Sequence, residues 1–249
     1  PQAVTTEGNI SELASASSPD PFFDNVVLLL EFEGADTDTT TTDASNSNHT
    51  IGFHQNAQID TAQFKFGASS LLLDGTDDIV SAADSDDWIF DGDFTVEAWV
   101  RIASTGTMVI CGQYDSAGSN FGWFFRTAVD QLRFELSDDG SGNGYFQQTV
   151  NGPTDRVIVD EWRHVAHCRD GTVARTFING VFSGSSNPSP VGTTPAFNAL
   201  NSPLRIGGVW SDTAPIWEFN GSIGPVRITN GYAHYTANFT PPTTPFFFT

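Results

Sequence analysis

The sequence predicts an all-β chain folded as a two-sheet antiparallel sandwich. Three observations carry this. The chain is rich in Phe, Thr, Gly and Asp and has one Met and one lysine, Lys65, so helix formers are scarce while β-branched and aromatic residues abound. Residues 94–102 alternate strictly, with Phe94, Val96, Ala98, Val100 and Ile102 on one face. Turn pairs recur at short spacing: Asp139-Gly140, Asn143-Gly144, Asp170-Gly171 and Asn179-Gly180. A chain of 249 residues of this kind forms one large domain with ample apolar surface for a core.

The N-terminal stretch is polar, small and without period, and Ser15-Ala-Ser-Ser-Pro-Asp-Pro reads as a linker. Residues 1–24 are therefore set apart as an arm, residues 25–245 as the domain and residues 246–249 as a tail. Apolar contact starts at Phe22-Phe23, and Val26 to Phe32 reads as a fully buried strand. Asp36 to Asn48 is a Thr/Asp/Asn/Ser loop. In the 94–102 strand the second face carries Thr95, Glu97, Trp99 and Arg101. A Trp among polar residues there is either a ligand platform or a surface covered by a loop.

Further strands are read at Met108–Cys111, Phe121–Arg126, Gln131–Leu136, Tyr145–Val150, Trp162–Cys168, Val173–Ile178, Leu204–Gly207 and Ile223–Ile228. Any helix is a turn or two, placed near Thr61–Phe64 or Tyr232–Thr236, and there is no internal repeat. The chain ends on Pro241-Pro-Thr-Thr-Pro-Phe-Phe-Phe-Thr. Its prolines withhold ladder donors. Three consecutive Phe either tuck under the sandwich or bury in a neighbour.

Four stretches fall in a telling order. They are Gly67-Ala-Ser-Ser-Leu-Leu-Leu-Asp-Gly-Thr-Asp-Asp-Ile-Val, then Gly92-Asp-Phe-Thr-Val-Glu-Ala-Trp-Val-Arg, then Trp162-Arg-His-Val-Ala-His-Cys-Arg-Asp-Gly with Phe177-Ile-Asn-Gly. The last is Phe219-Asn-Gly-Ser-Ile-Gly-Pro-Val-Arg-Ile-Thr-Asn-Gly-Tyr-Ala-His-Tyr. Together they resemble laminin-G-like jelly-roll domains of the concanavalin A-like lectin/glucanase superfamily, in the versions found in tailed-phage structural and fibre proteins. The resemblance spans about residues 25–245 and implies a jelly roll that binds surfaces or proteins. One departure stands out: Gly224-Pro225 replaces the acidic residue usual after the Ile of the last core strand.

A formal net charge of -20 argues against nucleic acid and against anionic membranes as partners. It suits solubility in salt or cation binding. Cys111 and Cys168 sit in apolar strand-like runs and read as buried free thiols. No stretch is long enough to span a bilayer. The N-terminus, beginning at Pro1, lacks a basic segment and an apolar run, so no signal peptide is expected, which fits a virion component made inside a cell.

Several constellations could carry chemistry. Glu31 and Glu33 would share one face of a strand, but the rest of a glycoside-hydrolase pattern is missing. Asp36, Asp38, Asp43, Asp74, Asp77 and Asp78 flank two core-type strands. Of these, Asp36, Asp43, Asp77 and Asp78 are the candidates for a structural calcium of the kind the resemblance implies, the alternative being that they cap turns. His164 and His167 point to opposite faces of one strand and cannot chelate together, and no zinc spacing appears. Asn9, Asn48, Asn220 and Asn238 head chance N-x-Ser/Thr triplets. Trp99, Tyr114, Trp123, Trp210 and Trp217, with Tyr145 beside them, are candidate sugar-stacking rings or ordinary core.

The reading is a non-enzymatic structural or decoration protein of a virion. Its partners would be neighbouring subunits, and it would act as a homo-oligomer. The alternative is a carbohydrate-binding adhesion module on a fibre or outside the cell. A glycan-cleaving enzyme is the third reading.

Overall fold

In the computed structural model, residues 20–115, 120–137, 145–149, 156–183, 202–210 and 215–246 are described. The strands are β1 (Val26–Leu30), β2 (Ile51–His54), β3 (Gln58–Asp60), β4 (Ser70–Asp74), β5 (Ile79–Ala82), β6 (Phe94–Ile102), β7 (Met108–Asp115), β8 (Asn120–Ala128) and β9 (Gln131–Ser137). They continue with β10 (Tyr145–Thr149), β11 (Arg163–Asp170), β12 (Val173–Ile178), β13 (Val181–Phe182), β14 (Leu204–Ile206), β15 (Val209–Trp210), β16 (Pro215–Ile216) and β17 (Asn220–Asn230). The first sheet has eight strands in the order β13-β12-β11-β6-β17-β4-β3, with β1 also on β17. The second has nine, in the order β10-β9-β8-β7-β14-β5-β2, with the β15–β16 hairpin at the end of β7. Pairing is antiparallel except for one parallel bridge, Trp210 to Asp115. This is the jelly-roll sandwich the sequence predicts.

The alternation of β6 works as read. Phe94, Val96, Ala98, Val100 and Ile102 join the main core, which takes Trp123, Phe125, Leu132 and Phe134 from the second sheet. Full burial of such a side chain contributes about 1.5–3 kcal/mol. The Asn179-Gly180 turn, with φ of 49° and 74°, closes β12 onto β13 as a tight hairpin. Cys111 and Cys168 are free and buried, and burial pushes both thiols up, that of Cys168 to about 12.

Three expectations change. The helical turns lie at Phe23–Asn25 and Asp86–Trp88, the latter capped by Ser85, rather than at 61–64 or 232–236. β1 ends at Leu30, and Phe32 is buried with a φ of 56°, so Glu31 and Glu33 do not share a strand face. Strands β2, β3, β5, β13, β15 and β16 are not among those the sequence predicts, since each is four residues or fewer.

The second face of β6 is also covered. Thr95, Glu97 and Trp99 are buried beneath segments from both ends of the chain. Asp20 and Phe22 come from one end, and Phe22 stacks on Tyr232 at 3.4 Å. Tyr235, Phe239 and Phe246 come from the other, and Phe246 packs with Val26, Leu29 and Trp99. Residues 20–24 and Phe246 thus pack on the 25–245 body. Of the two fates open to the terminal Phe run, Phe246 takes the intramolecular one; Phe247 and Phe248 lie outside the described residues.

Gly224-Pro225 forms a bulge in β17, where the register with β6 shifts between Ile223 and Val226. A bulge tolerates a proline in a central strand, because the ladder is already interrupted there. A Cβ at Gly224 would meet Trp99 and Trp162, each at 3.3 Å. Two indoles crowd the space beside that position. Among the described residues no helix is long and apolar enough to cross a membrane.

Candidate functional site

The four calcium candidates are placed as follows. Asp43 is buried, and its carboxylate accepts from the N–H groups of Leu29, Ser45 and His49 and from the Ser45 hydroxyl, at 2.8–2.9 Å. Asp78 is also buried and accepts from the N–H of Asn56 at 2.8 Å and of Asp74 at 2.9 Å. Its carboxyl is raised, first by burial. Asp36 receives only a 3.4 Å contact from Thr61 N–H, and Asp77 sits at a φ of 63° in an exposed turn. Asp78 lines a cleft of about 260 Å³ with Asp74, Thr39, Gln55, Asn56 and Gln58. Among the described residues no three of His, Cys, Asp or Glu gather into a set able to hold a metal ion. Asp43 and Asp78 spend their carboxylates on backbone N–H groups that fix the turns around them.

A polar hub lies under the chain ends, on the outer face of the first sheet. Glu97 and Arg227 are register partners on β6 and β17. Arg227 donates from Nε at 2.8 Å and from Nη2 at 2.7 Å to Oε1 of Glu97. Tyr235 donates its hydroxyl to Oε2 at 2.8 Å, and His164 Nε2 lies 2.9 Å from the same oxygen. Arg227 also donates to Asp20 at 3.1 Å, and its guanidinium lies 4.9 Å from the Phe246 ring. Burial would raise the Glu97 carboxyl, but Arg227 and the His164 hydrogen bond outweigh it and hold the group well below the usual carboxylate range. The hub ties the chain ends to the sheet, with His164 Nδ1 buried in it without a hydrogen-bond partner. His167, on the opposite face of β11, stacks on Phe134 at 3.8 Å and bonds Thr176.

The aromatic candidates separate into two groups. Trp99 is buried beneath Lys65, whose ammonium sits 4.0 Å over its ring, with Phe66 edge-on at 5.6 Å. Burial lowers the Lys65 ammonium. Trp123 is wholly buried in the core and donates its indole N–H to the Trp88 carbonyl. Both rings complete packing clusters.

Tyr114 and Trp217, by contrast, meet on the outer face of the second sheet, 5.7 Å apart. Phe124, from β8, joins them at 5.9 Å from Tyr114 and 5.7 Å from Trp217. The Arg126 guanidinium lies 5.5 Å from both the Phe124 and Trp217 rings and is ion-paired with Glu135. Trp217 has a φ of 55°, and its carbonyl accepts from Val109 N–H at 2.7 Å. For a bulky side chain that backbone conformation is a genuine outlier. The Trp210 backbone is bridged to Asp115, next to Tyr114; its side chain lies outside the described residues, as does that of Tyr145.

Sequence reasoning missed Phe124, Arg126, Arg133, Glu135 and Arg205 on this face. A signal was present. In Gln131-Leu-Arg-Phe-Glu-Leu the residues Leu132, Phe134 and Leu136 enter the core, so Arg133 and Glu135 must face outward.

The sequence profile described as the concanavalin A-like lectin/glucanases superfamily, of the laminin-G type, matches residues 74–233. The chain belongs to that superfamily. Its name covers sugar binders and glycan-cleaving enzymes alike. A comparison with curated protein sequences gives no match. Among solved structures, this superfamily member is similar to the binding domain of botulinum neurotoxin serotype G, with a TM-score of 0.60 and 13% identity over 87% of this chain and 49% of that one. It is similar also to the binding domain of botulinum neurotoxin DC in complex with SialylT, with a TM-score of 0.60 and 16% identity over 84% and 48%. The serotype D ligand binding domain in complex with N-acetylneuraminic acid gives 0.59 and 13% over 84% and 48%. The chain spans about half the length of these structures. At such identities the likeness is one of fold.

Proposed function

We propose that this chain is a non-enzymatic adhesion module that binds carbohydrate on the outer face of its second sheet. The observation that carries the reading is Trp217, held at a φ of 55° with its ring beside Tyr114 and Phe124. Strained backbone persists where the surrounding structure enforces it, and such positions cluster at ligand sites. Sugars stack on part-exposed rings of this kind while nearby polar groups fix their hydroxyls. Neurotoxin binding domains of the same fold, one of them solved with N-acetylneuraminic acid, support a glycan as the ligand class. Glu135, the carboxylate described on this face, is committed to Arg126, whereas glycosidic acid–base work needs two carboxyls flanking one bond.

The resemblance to tailed-phage structural and fibre proteins supports a virion as the place of display and an oligomer as the form, in which several weak sites would act together. The test is a glycan array followed by titration calorimetry on wild type and Trp217→Ala. Binding that is lost in Trp217→Ala while the circular dichroism spectrum is unchanged is the expected result. Retention of no glycan, or hydrolysis of a bound one, overturns the reading.

A further inference from the structure

The face that carries Trp217 is also an island of positive charge in an acidic protein. The chain has ten Lys and Arg against thirty Asp and Glu. Yet three arginines lie on this face. Arg126 and Arg133 are direct cross-strand partners on β8 and β9. Arg205, on β14, donates from Nη1 to the Tyr114 carbonyl at 2.9 Å. Among the described residues the opposing charge is Glu135, which pairs with Arg126.

This arrangement is costly for the fold. Like charges directly opposite each other on a sheet destabilise it. Arg126 is only 9% exposed, and its Nε–H is buried without a hydrogen-bond partner. The Nε–H of Arg133 is buried without a partner as well. Buried donors are nearly always satisfied, and an unpaired one needs an explanation. Among the described residues Glu135 neutralises one of the two facing guanidinium groups, and no carboxylate pairs with the other. An incoming anion would relieve the repulsion, through charge-assisted bonds to planar guanidinium groups suited to carboxylate or sulfate.

The geometry points to an anionic saccharide as the ligand, with its ring stacked on Trp217 and Tyr114 and its acid group held by Arg126 and Arg133. This rests on the reading of the same face as a carbohydrate site and specifies its ligand. Aromatic rings alone would accept neutral sugars; the paired arginines select among sugars by charge.

The experiment uses the full chain and an array holding neutral, sialylated, uronic-acid and sulfated saccharides. Titration with trigalacturonic acid and with its methyl ester, which differ in carboxylate charge, follows. The acidic saccharides are retained over their neutral parents, and the carboxylated and sulfated arms show which acid group fits better. The free acid binds at least about tenfold more tightly than the ester, and rising salt weakens it. Arg133→Gln removes about tenfold of the affinity for acidic ligands and leaves neutral ones unchanged. Its melting temperature without ligand equals or exceeds that of wild type, because the repulsion is gone. A purely structural arginine would not give that pair of results. Equal binding of neutral and acidic sugars, still lost in Trp217→Ala, overturns this inference and leaves the carbohydrate reading standing. The same holds if Arg133→Gln binds acidic ligands like wild type. If the array retains no saccharide of any kind, both readings fall.

Discussion

Glu97 and Arg227 face each other across β6 and β17 as direct register partners, and two guanidinium nitrogens reach one carboxylate oxygen at 2.7 and 2.8 Å. Each residue also holds a segment that crosses the sheet. Glu97 takes the Tyr235 hydroxyl, and Arg227 takes Asp20. Removing one member of a buried ion pair leaves the other charge uncompensated, at a cost of about 3–5 kcal/mol. Arg227→Met should lower unfolding free energy by that amount in urea denaturation. A loss below about 1 kcal/mol would show that the hub is not what ties the chain ends down.

Phe246 should behave as a core residue although it stands close to the chain end. It is 1% exposed and packs on Val26, Leu29, Trp99 and the Arg227 guanidinium. Truncation of a buried Phe to Ala costs about 3–5 kcal/mol. Phe246→Ala should therefore destabilise the protein by about 3 kcal/mol, and by the same amount at any protein concentration. A loss that vanishes on dilution would mean that the ring is buried by a neighbouring chain instead.

Acid should destabilise the fold well before ordinary carboxylates titrate. His167 is held neutral by burial, its pKa lowered to about 3 from 6.5. The unfolded chain takes up that proton below about pH 6.5 and the folded chain does not, so stability falls as pH drops from about 6.5 towards 3. The limiting slope is about 1.4 kcal/mol per pH unit for one proton. His234, also lowered, first by burial, acts with the same sign. Glu97, held low, adds its loss only below the unfolded value of 4.5. His167→Phe should therefore flatten the stability profile between about pH 6 and 5, whatever its effect at neutral pH. An unchanged slope there would refute the assignment.

The fold was legible because β6, β8 and β9 alternate, and because Asn179-Gly180 names its own turn. The candidate face was half legible. Tyr114 and Trp217 were read from the chain, but their meeting with Arg126 and Arg133 depends on register. That register is set by a hairpin turn at Val129-Asp130, with Val129 at a φ of 65°. Nothing in a Val-Asp pair announces such a turn, since β-branched residues avoid that region. The burial of Trp99 was equally hidden. It depends on Lys65, Phe66 and Phe246, which reach it from distant parts of the chain.

Asp43 separates a calcium ligand from a turn staple. Its carboxylate takes three backbone N–H groups, that of Leu29 fully buried. A buried donor left unpaired costs about 1–3 kcal/mol. Asp43→Ala should lower stability by at least that much, equally in calcium and in chelator. A ligand that binds the folded state alone raises stability by mass action. A melting temperature that rises with calcium in wild type and not in Asp43→Ala would make Asp43 a metal ligand instead.

Trp217 offers the sharpest contrast between stability and function. Its φ of 55° costs an L-residue roughly 1–2 kcal/mol, and glycine meets that backbone without penalty. The ring gives some of this back by packing on Phe124 and Tyr114, but it remains part-exposed, so the return is incomplete. Were the residue there for the fold alone, replacing it would destabilise as a core Trp does, by about 3–5 kcal/mol. If it is there for a ligand, Trp217→Gly should leave stability within about 1 kcal/mol of wild type, because relief of backbone strain offsets lost packing. Saccharide binding should vanish in the same protein. Thermal unfolding and calorimetric titration of one preparation measure both. A large stability loss with binding retained would make Trp217 a structural residue and move the search for the ligand elsewhere.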